Sequence, residues 1–168
     1  ISVTGAFHKG KRDGEWQFFE NNQLRSKGVY KEDKEDGIWE YYKNGNLTNN
    51  QLYEMGKRTP FHEDYREDGS LHYKNYVEQA TGSEISDSYD ENGNLTMRMI
   101  TYKDGGSGFE IYVKGKLFSR EITQANGCKI SESYDDDGKL SSRTYQRDDE
   151  QPIDIDFMFS ENKEKPVG

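Results

Sequence analysis

Two short acidic runs carry the residues best suited to binding a metal ion. They are Asp90-Glu-Asn-Gly-Asn94 and Asp135-Asp-Asp-Gly-Lys139. A calcium loop of the EF-hand type needs its glycine at the sixth position and a closing glutamate at the twelfth. In both runs the glycine follows the first aspartate by only three residues. This spacing is typical of hairpin turns instead, so the sequence predicts no metal site.

Other residue types with catalytic potential are dispersed along the chain. His8, His62 and His72 share no spacing, and the single cysteine, Cys128, has no histidine near it in sequence. This dispersion argues against a metal site and against a cysteine nucleophile. The run Gly105-Gly-Ser-Gly108 lacks the lysine and the following helix of a phosphate loop, and it is predicted to be a linker between strands. We therefore expect no enzymatic activity, no metal and no cofactor.

Aromatic and acidic side chains are better candidates for a functional surface. Large rings alternate with other residues in two segments of similar sequence, which would place them on one face of neighbouring strands. Such rings stack on each other, and a flat aromatic surface rimmed by charge is also what a protein partner tends to bury. The exposed acids have two interpretations, solvation of the turns or an acidic rail that meets a partner. The candidate partner-binding residues are Trp16, Phe18, Trp39, Tyr41, Tyr65, Asp68, Asp90, Glu91, Asp135, Asp136 and Asp137.

A sequence repeat of 22–24 residues must position these groups. The run Gly37-Ile-Trp-Glu-Tyr-Tyr-Lys-Asn-Gly-Asn-Leu47 follows a similar run, Gly14-Glu-Trp-Gln-Phe-Phe-Glu-Asn-Asn-Gln-Leu24, at a spacing of 23. Asn-Gly between extended segments is a strong hairpin signal. A turn followed by leucine recurs at spacings of 23, 24, 24, 22 and 23, at Leu24, Leu47, Leu71, Leu95, Leu117 and Leu140. A period of this length indicates supersecondary units that stack on their neighbours.

The predicted fold is all-β: an elongated antiparallel β-meander of about six repeated hairpins in a single-layer twisted sheet. Only 30% of the residues are hydrophobic and 33% are charged, against averages of about 45–50% and 25%, so a thick core is not expected. A closed barrel is the alternative. We expect one repeat array over 1–160, with clear repeats at 5–54 and degenerate repeats at 55–160, followed by a flexible tail at 161–168.

Strand positions follow from the turns. Strands are expected at 3–8, 15–20, 23–30, 38–43, 46–54, 61–66, 71–77, 85–90, 95–102, 109–113, 117–124, 128–135, 140–146 and 153–159. Charged loops are expected at 9–14 and 32–37, and Pro60 at a strand entrance.

Two-residue turns would also fix which side chains lie opposite each other. On one face the predicted pairs are Phe19 with Leu24, Tyr42 with Leu47, and Tyr112 with Leu117. On the other face they are Trp16 with Lys27, Phe18 with Arg25, Tyr41 with Thr48, Tyr65 with His72, Tyr89 with Thr96, and Tyr134 with Ser141.

The net charge of −9 argues against nucleic-acid binding, which needs clustered basic residues, and favours a basic protein partner. No run approaches the roughly 18 apolar residues of a membrane span, so membrane association is not indicated. The chain begins at Ile1 rather than methionine, which leaves room for a removed leader. We expect a cytoplasmic location for an antitoxin and a periplasmic or envelope location if a leader has been removed. The sequence leaves the oligomeric state open.

Residues 10–28, Gly-Lys-Arg-Asp-Gly-Glu-Trp-Gln-Phe-Phe-Glu-Asn-Asn-Gln-Leu-Arg-Ser-Lys-Gly, resemble the variant MORN repeat of bacterial proteins, and residues 33–47 repeat the resemblance. The resemblance implies an antiparallel meander with one hairpin per repeat and no catalytic residues. Proteins of this repeat type are often described as antitoxin or immunity partners of a toxin. It therefore implies a non-enzymatic protein that neutralises a toxin by occlusion, with a structural or envelope-associated scaffold as the alternative.

Overall fold

The computed structural model describes residues 1–147 and the strand residues 153–154. The structure is all-β, with no helix in the described part of the chain. The strands are β1 Ser2–His8, β2 Lys11–Glu20, β3 Gln23–Lys31, β4 Lys34–Lys43, β5 Asn46–Glu54, β6 Lys57–Tyr65, β7 Leu71–Val77, β8 Glu84–Tyr89, β9 Leu95–Thr101, β10 Ser107–Val113, β11 Lys116–Thr123, β12 Lys129–Tyr134, β13 Leu140–Gln146 and β14 Ile153–Asp154. The remainder of the predicted 153–159 strand and the predicted tail at 161–168 lie outside the described residues.

The strands belong to two compact units. The first unit comprises residues 1–77 and 88–93, and the second comprises 78–87 and the chain from residue 94. In each unit, neighbouring strands in the sheet are neighbours in the chain and pair antiparallel. Among the described residues, the first strand of neither unit pairs with its last strand, so the sheet is not closed. The predicted meander of hairpins is confirmed, and the barrel alternative is wrong.

A β-bulge follows the leucine in the hairpins with two-residue turns. Phe19 lies opposite Leu24 as predicted, but Phe18 lies opposite Ser26 because Arg25 is an extra residue on β3. The same shift occurs after Tyr42 and Leu47, and after Tyr112 and Leu117. The predicted pairs before the bulges are therefore confirmed. Those beyond them are wrong, since Trp16 lies opposite Gly28, Phe18 opposite Ser26 and Tyr41 opposite Asn49.

Two later hairpins have longer turns than predicted. Arg66 N donates to Ser70 O at 2.9 Å, which encloses a loop of three residues rather than two. Tyr65 consequently lies opposite Leu71, not His72. Residues 135–139 form the same kind of turn, so the predicted pairing of Tyr134 with Ser141 is also wrong, and Tyr134 lies opposite Leu140. The pairing of Tyr89 with Thr96 stays a prediction.

The predicted charged loops at 9–14 and 32–37 are mostly strand. The turns there are short pairs of residues with positive φ, Lys9-Gly10 and Glu32-Asp33, so β2 and β4 begin at Lys11 and Lys34. A backbone hydrogen bond links the ends of successive hairpins: Asp33 N donates to Arg12 O at 2.9 Å.

Two further segments also differ from prediction. Pro60 lies inside β6, at the point where the register between β5 and β6 shifts. Proline has no backbone N–H to donate to the neighbouring strand, and it is tolerated at such an irregularity. Ser107 and Gly108 belong to β10 rather than to a linker.

The core of the first unit is a row of aromatic rings lying on glycines. Trp39 lies across Gly28 of the neighbouring strand, and a Cβ atom at Gly28 would be 2.3 Å from the indole. The indole Nε1 of Trp39 donates to Val29 O at 3.2 Å. Trp16 makes the same arrangement with Gly5 and donates to Ala6 O at 3.1 Å. The absence of a side chain on the glycine is what allows each indole to lie flat on the backbone.

Replacing Gly28 with alanine is expected to lower the free energy of unfolding of the first unit by about 2 kcal/mol or more, because the indole of Trp39 must move off the strand. Urea unfolding followed by tryptophan fluorescence measures this. Ser26→Ala, two residues away on the same strand face, is the matched control and is expected to have a small effect. Equal effects of the two substitutions would contradict the proposed contact.

Candidate protein-binding surface

Four of the predicted partner-binding residues come together in the first unit. Trp16, Phe18, Trp39 and Tyr41 lie on one face with Tyr30 and Tyr53, and these six residues form what we call the aromatic cluster. The ring centroids of Tyr30 and Trp39 are 4.9 Å apart, and those of Trp16 and Tyr30 are 5.8 Å apart. Edge-to-face contacts of this kind stabilise a pair of aromatic rings by more than the burial of their surface area alone.

The members of the aromatic cluster differ in how accessible they are. Trp16 and Trp39 are only 6% and 4% exposed, so their main contacts are inside the sheet. Phe18 and Tyr41 are half-buried at its margin. The Tyr41 hydroxyl lies 3.1 Å from that of Tyr53, and burial together with this hydrogen bond raises the pKa of Tyr41. Phe18 and Tyr41 are thus the members most available to a partner.

Tyr65 does not join the aromatic cluster. Its hydroxyl donates to Glu63 Oε2 at 2.8 Å on the opposite face of the sheet, where the Asn50 amide is 3.4 Å away. Burial and the Glu63 carboxylate raise the pKa of Tyr65 to about 12. The predicted site residues therefore lie on both faces of the first unit.

A ladder of alternating charges, which the sequence patterns above did not predict, crosses the second unit. Arg98, Glu110, Arg120, Glu132 and Arg143 lie directly opposite one another on β9 to β13. We call these residues, together with Asp87, the charge ladder. Arg98 donates two hydrogen bonds to the Asp87 carboxylate, at 2.7 and 2.9 Å.

Glu132 shows how hydrogen bonds stabilise a buried carboxylate within the charge ladder. Its two carboxylate oxygens accept from Arg120 Nε at 2.7 Å and Arg143 Nε at 2.8 Å, and the Tyr134 hydroxyl donates at 2.7 Å. Burial acts to raise the pKa of Glu132, but the hydrogen bonds from Tyr134, Arg120 and Arg143 outweigh it and hold the pKa below its ordinary value. A carboxylate that is 4% exposed is in this way kept ionised.

The first unit carries a shorter version of the same arrangement. Lys27 lies 2.9 Å from Glu40 and Lys74 lies 3.0 Å from Glu63, measured between side-chain nitrogen and oxygen. A sequence signal for these pairs existed. An acid two residues before an aromatic recurs at spacings of 23, 24, 23 and 22, at Glu40, Glu63, Asp87, Glu110 and Glu132. A basic residue stands three after most of the repeat leucines, at Lys27, Lys74, Arg98, Arg120 and Arg143.

The predicted acidic residues of the turns have two different roles. The first aspartate of each turn accepts hydrogen bonds from the backbone: Asp68 from Ser70 N at 2.8 Å, Asp90 from Asn92 N at 2.9 Å, and Asp135 from Asp137 N at 3.0 Å. Glu91, Asp136 and Asp137 are exposed to solvent. Asp68, Asp90 and Glu91 belong to the first unit and the other three to the second. Their alignment as one rail stays a prediction.

The surface of the described residues carries several open depressions. A depression of about 320 Å³ is lined by residues that include Lys116, Phe118 and Asp136. In the part of the chain that the structure describes, no group of three His, Cys, Asp or Glu side chains could hold a metal ion. Cys128 is buried and accepts a hydrogen bond from the Tyr145 hydroxyl at 3.0 Å. No helix in residues 1–147 and 153–154 is long and apolar enough to cross a membrane.

These features define a class: an all-β repeat protein built from antiparallel hairpins. Residues 12–32, which span most of β2 and β3 with their turn, match the family model of the MORN repeat variant. The chain thus contains a variant MORN repeat, which confirms the resemblance seen in the sequence. No curated protein matches the chain. A repeat of this type suggests a repeat protein that binds other proteins or membranes.

Replacing Glu132 with glutamine is expected to lower the free energy of unfolding by about 2 kcal/mol at neutral pH, because Arg120 and Arg143 lose their shared carboxylate. The lowered pKa of Glu132 stabilises the fold above its ordinary value of 4.5, and this stabilisation is lost as the pH falls below that value. The difference between the two proteins should therefore shrink in acid.

Urea unfolding at several pH values measures this difference. Glu121→Gln removes the same charge from an exposed position on β11 and should change stability little. A pH-independent effect of Glu132→Gln would contradict the assigned role of the ionised carboxylate.

Proposed function

We propose that this chain is a non-enzymatic protein-binding repeat protein that acts as an antitoxin or immunity protein and neutralises a basic toxin by occlusion. The observation that carries the proposal is the combination of an open hairpin sheet with exposed acidic turns. The depressions found on the described surface are open, so recognition would use area rather than a cleft. The variant MORN repeat supports a binding role at the level of class.

The charge distribution favours a basic partner. The chain has 32 acidic and 23 basic residues. Several of the basic ones are engaged in internal pairs, as Arg98, Arg120 and Arg143 are in the charge ladder. The exposed acids Asp136 and Asp137 are therefore not balanced by those cations. An excess of exposed negative charge steers a basic protein toward the surface and raises the rate of association.

Occlusion requires no chemistry from the chain. A stable protein–protein interface buries about 800 Å² on each partner, and a sheet of several hairpins offers an area of that size. Phe18 and Tyr41 would serve as anchors in the first unit, since half-buried aromatic residues gain the most from further burial at little entropic cost. The acids would supply steering and orientation, and the toxin's active surface would be covered.

The first test is capture of the partner from the native host. The purified chain should retain a basic protein, and adding the chain should suppress that protein's toxic activity. A captured partner that is acidic, or whose activity is unchanged by saturating amounts of the chain, would contradict the proposal.

Charge reversal tests the surface itself. Asp136→Lys with Asp137→Lys is expected to weaken inhibition about tenfold or more at low salt, because two steering charges become repulsive. The loss should shrink as the salt concentration rises. Glu54→Lys with Glu84→Lys makes the same change in net charge at exposed positions outside the candidate surface. An equal loss in both double variants would show that net charge, not these turns, governs binding.

A further inference from the structure

The second unit carries an exposed row of large apolar side chains on three adjacent strands. Phe109 lies opposite Met99, and Ile111 lies opposite Met97. Met99 is 55% exposed and Phe118 is 52% exposed. The patch, which we call the apolar face, consists of Met97, Met99, Phe109, Ile111 and Val113, together with Phe118 at the bulge of β11, which lines one depression with Val113.

The charge ladder explains why these side chains face solvent. Successive residues of a strand point to opposite faces of the sheet. Glu110 is buried in the charge ladder between Arg98 and Arg120, so its neighbours Phe109 and Ile111 must point the other way. The second unit thus buries charge on one face and leaves apolar residues exposed on the other, the reverse of the usual preference.

The strands beside the apolar face carry almost no charge on the same side. The residues in register there are mainly small hydroxyl side chains: Thr101, Ser107, Ser119, Thr123, Ser131, Ser133, Ser142 and Thr144. The charged residues in that register are Glu121, Lys129 and Lys116, which lies opposite Val113 at the end of the face. This face of five strands thus carries two cations and one anion and has no excess of acid, in a chain whose net charge is −9.

We infer that the apolar face is the interface between two copies of this chain. Two molecules that each carry a charge of −9 repel, and a face without excess acid lets them approach without burying carboxylates against each other. In a two-fold dimer, the same surface of each copy forms the contact. Glu121 of each copy would then lie in the interface with Lys129 of the other copy, which has the opposite charge. A basic partner gains no electrostatic attraction at a surface without excess acid. The proposed toxin contact at Asp136 borders this face at Val113 and Phe118, which line the same depression.

The size of the face suits a modest dimer. Five strands spaced about 4.8 Å apart, each about seven residues long at about 3.4 Å per residue, cover roughly 550 Å². Two copies would bury about 1,100 Å², slightly above the roughly 1,000 Å² that a specific interface needs. Met97 and Met99, on the first of the five strands, can adjust their rotamers to a partner surface. We therefore expect reversible association with a dissociation constant in the micromolar range.

Sedimentation equilibrium of the full chain over a range of concentrations tests this inference. The wild-type protein should show a monomer–dimer equilibrium, and Phe109→Glu should raise the dissociation constant at least tenfold by placing like charges within the interface. Ile38→Glu, at an exposed apolar position of the first unit, is the matched control and should leave the equilibrium unchanged. Circular dichroism establishes that each variant is folded.

Met99→Lys provides a second variant at a more exposed position, in case Phe109→Glu does not fold. In the wild-type protein, amide hydrogen exchange in β10 and β11 should slow as the concentration rises. A chain that stays monomeric at all concentrations, or a dimer insensitive to both variants, would overturn the inference. So would a monomer that binds neutral phosphatidylcholine vesicles through Phe109, because the occupant of the face would then be lipid.

Discussion

A single-layer sheet has no second layer against which to bury side chains, so its stability must come from contacts between neighbouring strands. The two units meet this constraint differently. In the first, indole rings lie flat on glycine backbones and pack edge-to-face with tyrosines. In the second, Glu132 is shared by arginines on both neighbouring strands, and tyrosine hydroxyls donate to the buried Glu110 and Glu132. Both solutions repeat at the period of the hairpin.

The third repeat shows how the first solution ends. The position of Trp16 and Trp39 is occupied by His62, 23 residues after Trp39, and the position of Gly5 and Gly28 is occupied by Gln51. Without an indole lying on it, the strand at Gln51 has room for a side chain. The Gln51 amide donates to Thr59 O and Phe61 O, both at 2.8 Å. The two changes are therefore coupled: a smaller ring on one strand allows a larger residue on the next.

The two solutions leave different surfaces for binding. Where aromatic rings form the core, half-buried members such as Phe18 and Tyr41 remain at its margin. Where charges form the core, strand alternation turns the apolar residues outward. The acidic turns add a further, polar surface. In the turn at residues 135–139, Asp135 accepts a backbone hydrogen bond that holds the turn, and the residues after it are exposed. The described residues of the chain can in this way offer chemically distinct surfaces to different partners.

Local signals in the sequence determined the hairpins, their period and the strand order. Turn residues and alternation act over a few neighbouring positions, so Phe19 with Leu24 and Tyr42 with Leu47 followed directly. The side-chain pairs beyond each turn were decided only in the tertiary structure. One extra residue at Arg25 moves Lys27 away from Trp16 and places it beside Glu40 on the other face. Because the side-chain period of a strand is two, a shift of one residue exchanges the faces. That exchange determines which residues form the core and which remain available for binding.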